Sequence, residues 1–268
     1  MPDPVLWGLG YLAIGSVVGF LAGMLGIGGG AITVPLLVWM FDAQGLPREQ
    51  VLHLAVGTCM ATILFTSLSS TRAHAARGGV RWSIVKAITP GILVGGLAGS
   101  AIAALVSQRL FAALFVATVY AASVNLLLDR KPNPSRTPPG PIGLFAVGAT
   151  ISAVSAFAAV GGAFMAVPFM VWCNVPMLQA IGTAAAIGFP IAAAGSVGYI
   201  ASGLIEGGLP EWSLGYVYLP ALAGVTAASM LLAPVGAAAA HRLPTKLLRR
   251  IFAVLMFSLA TWMLVTLW

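Results

Sequence analysis

The residue types that could do chemistry in this chain are glycines and hydroxyls. Gly28-Gly29-Gly30 and, 133 positions later, Gly161-Gly162-Ala163 are each followed by a proline, Pro35 and Pro168. Glycine adopts positive φ freely and is poor in helix interiors, so each cluster is a place where a helix can stop and restart. A helix that restarts there presents N–H groups carrying partial positive charge, which suit an anion; a cation would prefer the opposite end. Thr58 and Thr183, each directly after a glycine, add two hydroxyls. They could face each other and donate to an oxyanion, or bond back to carbonyls of their own helix. Thr62 and Ser67, with Thr66, Ser69, Ser70 and Thr71, make one stretch polar enough to line an aqueous path or to pack against other helices. Arg72 and His74 close that stretch, either as an interfacial anchor or as a cytoplasmic mouth whose field concentrates anions, with His74 able to titrate near neutrality. The candidate substrate-binding set is therefore Gly28, Gly29, Gly30, Thr58, Gly161, Gly162, Ala163 and Thr183, and the candidate pathway set is Thr62, Ser67, Arg72 and His74.

The acids lie elsewhere. Asp3, Asp42, Glu49, Asp129, Glu206 and Glu211 all fall outside the long charge-free stretches, so no intramembrane carboxylate is on hand as a proton relay or cation ligand. Cys59 and Cys173 have no CxxC spacing, and neither a disulfide framework nor a metal site is indicated. No cofactor motif is present. An intramembrane enzyme would need a catalytic set, but there is no GxSxG elbow and no HExxH, and the histidines, His53 among them, lie near span ends.

These residues must be positioned by membrane helices. Of 268 residues 60% are hydrophobic and 7% charged, against about 25% charged in an ordinary soluble domain. Pro4–Phe41, Gln50–Thr71, Ala87–Gln108, Leu110–Leu128, Thr137–Ile205, Trp212–Ala240 and Ile251–Trp268 carry no Asp, Glu, Lys or Arg. Each is long enough to cross a bilayer, since about 20 apolar residues suffice. Pro4–Phe41 as one helix would run about 57 Å, nearly twice a hydrocarbon core of about 30 Å, so it must turn or break at Gly26–Gly30. With only Asp3 and no basic residue ahead of it, this stretch is not a cleaved secretory signal. The net charge of +7 comes from bases in short loops, where they orient the chain rather than bind nucleic acid.

The two halves match in order. Beyond the glycine clusters, Val56-Gly57-Thr58 lies over Ile181-Gly182-Thr183, Arg81-Trp82-Ser83 over Glu211-Trp212-Ser213, Pro90 over Pro220, and Gln108-Arg109-Leu110 over His241-Arg242-Leu243. Gly19-Gly23 and Gly91-Gly95-Gly99 are better explained as close helix packing. Arg72, Arg77, Arg81 and Lys86 surround one loop of the first half, whereas the corresponding loop of the second half carries Glu206 and Glu211 and no base. By the positive-inside rule the first faces the cytoplasm and the second the periplasm. Arg130, Lys131 and Arg136 make the Pro-rich connector cytoplasmic, as do Arg242, Lys246, Arg249 and Arg250 for the last loop. The expectation is an all-α polytopic membrane protein of two inverted-topology repeats, residues 1–130 and 142–268 joined by the connector 131–141. It has Gly-rich broken or re-entrant helices, about 8–10 membrane segments and a substrate site between the halves.

At Gly-Phe-Leu-Ala-Gly-Met-Leu-Gly-Ile-Gly-Gly-Gly, positions 19–30, with Pro35, Val56-Gly57-Thr58, Arg81-Trp82 and the degenerate second copy, the chain resembles the TauE/SafE family of sulfite exporters and related anion permeases. The resemblance covers essentially the whole chain. It implies outward transport of a small inorganic or organic anion such as sulfite or a sulfonate, in a bacterial inner membrane. Ala163 in place of a third glycine departs from strict symmetry of the site. A passive anion channel is the alternative, and proton coupling is left open. Both termini are expected in the periplasm. A C-terminal alkaline phosphatase fusion should be active and a C-terminal green-fluorescent fusion dark; the reverse would overturn this topology.

Overall fold

The computed structural model describes residues 4–25, 29–128, 137–159, 162–240 and 245–267. They form ten helices: α1 (Pro4–Leu25), α2 (Gly30–Ala43), α3 (Arg48–Ala75), α4 (Trp82–Leu105), α5 (Gln108–Leu128), α6 (Pro141–Ala158), α7 (Ala163–Trp172), α8 (Met177–Glu206), α9 (Leu219–Ala240) and α10 (Thr245–Leu267). A two-stranded antiparallel hairpin, β1 (Ser213–Leu214) and β2 (Val217–Tyr218), precedes α9. Among the described residues seven helices, α1, α3, α4, α5, α6, α8 and α9, are long and apolar enough to cross a membrane; the stretches Gly30–Ala43, Ala163–Trp172 and Arg250–Thr266 are apolar but shorter. Leu105, Ile142 and Val265, each more than three-quarters exposed, are side chains that lipid would cover.

Both long apolar windows break where the glycines stand. The first helix ends at Leu25 and the next begins at Gly30; the sixth ends at Ala158 and the seventh begins at Ala163. The residue before each restart, Gly29 or Gly162, is left-handed, with φ of 51° and 70°. After the first break the chain doubles back. Phe41 near the end of α2 meets Tyr11 near the start of α1, ring centroids 6.5 Å apart, and the Gln44 amide donates to the Tyr11 hydroxyl. Gly29 therefore sits roughly 18 Å of helix from the level of Phe41, close to mid-depth in a core of about 30 Å. Neither α2 (14 residues) nor α7 (10 residues) spans that core alone.

The centre is the pair α3 and α8. Their apolar windows are 78% and 72% buried, against 28% for α1 and α9. They run antiparallel: Gly57 packs on Tyr199, Gly195 on Met60, and Gly182 on His74. Around them lie two parallel seams with backbones in close approach. A Cβ on Gly91 or Gly95 of α4 would overlap the carbonyl oxygen of Phe145 or Ala149 of α6, and one on Gly99 would lie 2.8 Å from the Ala153 Cα. In the other seam, a Cβ on Gly15 of α1 would lie 2.5 Å from the Val225 carbonyl oxygen of α9, and one on Gly19 would overlap the Ser229 backbone. Such small-residue spacing lets helices gain dispersion contacts where lipid tails supply no hydrophobic drive. Of the glycines assigned to packing from sequence, Gly19, Gly91, Gly95 and Gly99 thus pack.

Contacts recur in matched form. Gly15 meets the backbone of Val225, and Gly148, 133 positions later, meets that of Ile88. Gly29 rests on Val18 and Ala22, as Gly162 rests on Ile151 and Ser155. The register read from the Trp-Ser pairs is corrected. Trp82 opens α4, but Trp212 lies in the turn before β1, 74% exposed with φ of 65°. The residue in the position of Arg81, just before the following helix, is Tyr218, because the hairpin lengthens this connection. Likewise Pro90 is in the interior of α4 whereas Pro220 is in the first turn of α9. His241, Arg242 and Leu243 lie outside the described residues, as do residues 129 and 130 and the stretch 131–136 of the connector.

Gly95→Leu should lower the detergent melting temperature and the yield of folded protein, by about 1–3 kcal/mol or more of overpacking. Gly8→Leu, where a Cβ meets nothing within 4 Å, should leave both unchanged. Equal melting temperatures for the two variants would show that the α4–α6 seam does not require its glycine.

Candidate functional site

Each restarted helix begins with N–H groups that precede its first intrahelical acceptor. In α2 the Ile32 and Thr33 N–H groups donate to Gly29 O at 3.1 and 3.0 Å; in α7 Met165 and Ala166 donate to Gly162 O at 3.1 and 2.9 Å. The N–H groups of Gly30 and Ala31, and of Ala163 and Phe164, come before those bonds and point out of the helix starts. Gly29, Gly30 and Ala31 are buried, as are Gly162 and Ala163. Gly28 and Gly161, two residues of the sequence-derived set, lie outside the described residues.

The two starts converge on the last turns of α6. A Cβ on Gly30 would overlap the Ala159 carbonyl oxygen, while one on Gly162 would lie 2.9 Å from Ile151 Cγ2 and 3.5 Å from Ser155 Oγ. Ile151 and Ser155 are spaced by four and share one face of α6, and Ala159 follows its last turn as the cap. Ala159, which caps α6, is itself left-handed at φ 49°, a conformation that costs a non-glycine residue roughly 1–2 kcal/mol. Gly30 therefore has no room for the methyl that Ala163 carries. The Thr33 hydroxyl donates back to Gly29 O at 3.0 Å, and a Cβ on Gly30 would lie 3.3 Å from Cys59 Sγ. The Ser155 hydroxyl is fully buried and has no partner among the described residues.

Thr58 and Thr183 are also fully buried, but the structure does not bring them together. Tyr199, the α8 residue at Gly57, is about four turns further along that helix than Thr183. Each hydroxyl instead accepts a backbone N–H from the opposite half: Tyr218 N–H donates to Thr58 Oγ1 and Arg81 N–H to Thr183 Oγ1, both at 2.9 Å. The neighbouring glycines make room for this, since a Cβ on Gly57 or Gly182 would overlap the carbonyl of Tyr216 or of Gly79. These threonines are thus fasteners for the loops beside them. On the Arg81 side a second bond helps, Arg81 Nε donating to Gln179 Oε1 at 2.6 Å.

Of the pathway set, Thr62 and Ser67 are buried and bond back to Thr58 O and Leu64 O at 3.0 and 3.1 Å, the local pattern that competes with any outward role. Arg72 is exposed at the end of α3, and His74 is half-buried with its Cβ packed against Gly182. At the other end of α3 an aromatic group surrounds the hairpin. Tyr218 lies 5.5 Å from Phe41 and 6.4 Å from Tyr11; Tyr216 lies 5.1 Å from His53, whose Nε2 is 3.0 Å from Ala103 O. Burial raises the Tyr216 phenol above its ordinary range, and the Glu206 carboxylate adds to the rise, so it stays protonated.

Sequence reasoning missed the loop straps, because the hairpin hides the correspondence of Arg81 with Tyr218. It also passed over Ser155, although at an offset of 133 this serine stands opposite Ala22.

Among the described residues seven membrane-length helices, together with two shorter ones, α2 and α7, whose buried starts approach the C-terminal end of α6, define a multi-pass membrane protein of the transporter class. The family model described as "Sulfite exporter TauE/SafE" matches residues 11–263, and the chain belongs to that family; it is a membrane transporter, not an enzyme. It is similar to a probable membrane transporter protein of Haemophilus influenzae, 34% identical over 253 residues that cover 93% of this chain and 95% of the relative. Similar proteins of the same description occur in Xylella fastidiosa, 25% identical over 95% of this chain and 94% of the relative, and in Methanocaldococcus jannaschii, 25% identical over 78% and 77%. No solved structure matches the chain.

Thr58→Val and Thr183→Val each leave one loop N–H without its acceptor, at a cost of about 1–3 kcal/mol. Each variant should melt earlier in detergent, and its own loop, the hairpin for Thr58 or residues 78–81 for Thr183, should lose amide protection in hydrogen exchange. Unchanged protection of that loop would show that the bond does not hold it.

Proposed function

We propose that the protein is a secondary transporter that moves a small oxyanion, sulfite first among them, through a site at the starts of α2 and α7. The observation that carries this reading is the approach of two buried helix starts to the end of α6, in stretches of sequence, 4–41 and 137–205, that carry no acidic residue. Partial positive charge from both backbones then falls on one place without any cationic side chain. Such a site recognises the oxygens of an anion and leaves the central atom to be chosen by cavity size, so sulfonates and small carboxylates are close competitors. The family description names sulfite and supports the first choice.

The matched contacts and the antiparallel α3–α8 pair support reading residues 1–130 and 142–268 as inverted repeats joined by the connector 131–141. Loop charges support a cytoplasmic Arg81 side and a periplasmic hairpin in a bacterial inner membrane, with both termini periplasmic. The two straps then become the two gates. Releasing Tyr218 from Thr58 opens the site outward, and releasing Arg81 from Thr183 opens it inward. An interior-negative potential favours anion export by about 2.3 kcal/mol per charge per 100 mV.

In proteoliposomes, labelled sulfite should flux saturably and show counterflow, which a passive channel does not. An interior-negative potential should speed its efflux; insensitivity to potential would indicate movement with a proton. Gly29→Val and Gly162→Val, which meet both a positive φ and the side chains of Val18 or Ile191, should abolish flux while folded protein remains in the membrane. Flux of a cation such as Na⁺ with none for sulfite, acetate or sulfonates would overturn the reading.

A further inference from the structure

Between the two helix starts the polar groups are unequal. At the α2 start, Gly29 packs on Ala22, and the Thr33 hydroxyl is already spent on Gly29 O. At the α7 start, the position matching Ala22 is Ser155, whose Oγ lies 3.5 Å from where a Cβ of Gly162 would stand. Its hydroxyl is fully buried and bonds to nothing among the described residues. A buried donor without an acceptor is costly and uncommon, and one beside an anion-favouring helix start indicates an acceptor that binds there. Ser152, one turn earlier on α6, is also unpartnered, but a Cβ on Gly96 of α4 would lie 2.6 Å from its Oγ, so it faces the packed seam instead.

We infer that Ser155 donates its hydroxyl proton to an oxygen of the transported oxyanion, holding it off-centre, toward the α7 start. This rests on the reading of the converging helix starts as the anion site. The hydroxyl supplies a strong directional donor where the α2 side offers backbone N–H groups and, in Cys59, only the weak S–H donor of a thiol. It therefore favours ligands with an exposed, charged oxygen over a halide, which also accepts the bond but as a weaker and less directional acceptor.

Three measurements on Ser155→Ala, compared with wild type in proteoliposomes and detergent, test it. The half-saturating sulfite concentration should rise about tenfold, the effect expected for losing a hydrogen bond to a charged group. Chloride competition against sulfite should become correspondingly more effective. Without ligand the variant should melt at or above the wild-type temperature, since an unpaired buried hydroxyl has been removed, while the rise in melting temperature on adding sulfite should shrink. A purely structural serine would give a lower melting temperature with unchanged sulfite affinity, and that result overturns the inference. If Ser155→Ala saturates like wild type while Gly162→Val is inactive, the helix-start reading survives and the serine's role falls. If wild-type protein moves no oxyanion at all, both fall. Ser155→Thr, which keeps the hydroxyl, should restore the sulfite-induced rise in melting temperature.

Discussion

The structure depends on one constraint: a helix that stops inside hydrocarbon leaves N–H and C=O groups that water cannot reach. Each such group costs several kcal/mol unless protein or a polar cavity receives it. The two interruptions are tolerated because they are enclosed. The buried pair α3 and α8 forms the middle of the molecule, and the parallel seams α1–α9 and α4–α6 bring further helices against it. The α4–α6 seam can be tight because Gly91, Gly95 and Gly99 recur at every fourth residue through the middle of α4, which lets α6 lie against bare backbone. Packing of this kind keeps lipid away from the helix starts. What remains for their N–H groups is each other's surroundings, the end of α6, and whatever ligand enters.

The same economy governs the loops. A connection at the end of a membrane helix would ordinarily be solvated, yet residues 78–81 and the hairpin are drawn inward until a backbone N–H of each reaches a buried threonine in the opposite half. Gly57 and Gly182 make that approach feasible, since any side chain there would strike the strap's own carbonyl. In the proposed reading stability and gating thus share atoms. A bond whose loss is worth about 1–3 kcal/mol is strong enough to close a loop and weak enough to be released by the binding energy of a small ligand.

Much of this was legible in the sequence, for physical reasons. A charge-free stretch twice the membrane thickness must break, and glycine marks where, so the restarts at Gly30 and Ala163 followed from length and composition. Spacing alone also identified Gly91, Gly95 and Gly99 as a packing seam. The partners of Thr58 and Thr183 were not legible. Their spacing fits a donor pair as well as it fits two fasteners, and only the distance along α8 between Thr183 and Tyr199 separates the readings. Trp212 misled the alignment because a Trp-Ser pair recurs in both loops, while the extra hairpin shifts the equivalent backbone position to Tyr218. Thr62 and Ser67 looked like a polar path in sequence, but a helix can satisfy such hydroxyls from its own carbonyls, and here it does.

The departures from strict symmetry bear on direction and choice of substrate. Gly30 against Ala163, Thr33 against Ala166 and Ala22 against Ser155 are paired positions in which one half is bare and the other carries a group. If both helix starts were identical, an anion between them would sit on the axis and see the two exits alike. The Ala159 carbonyl stands where a Cβ of Gly30 would be and packs the α2 start closely, while the buried hydroxyl stands at the α7 start. In the proposed reading the anion then rests nearer one break than the other, so the two gates close over unequal environments. On that reading net direction comes from the membrane potential acting on the charge, and the asymmetry sets which oxyanions are held long enough for the opposite gate to open. A site of backbone dipoles and a single hydroxyl binds weakly by design, and a carrier needs that weakness to release its ligand at every cycle.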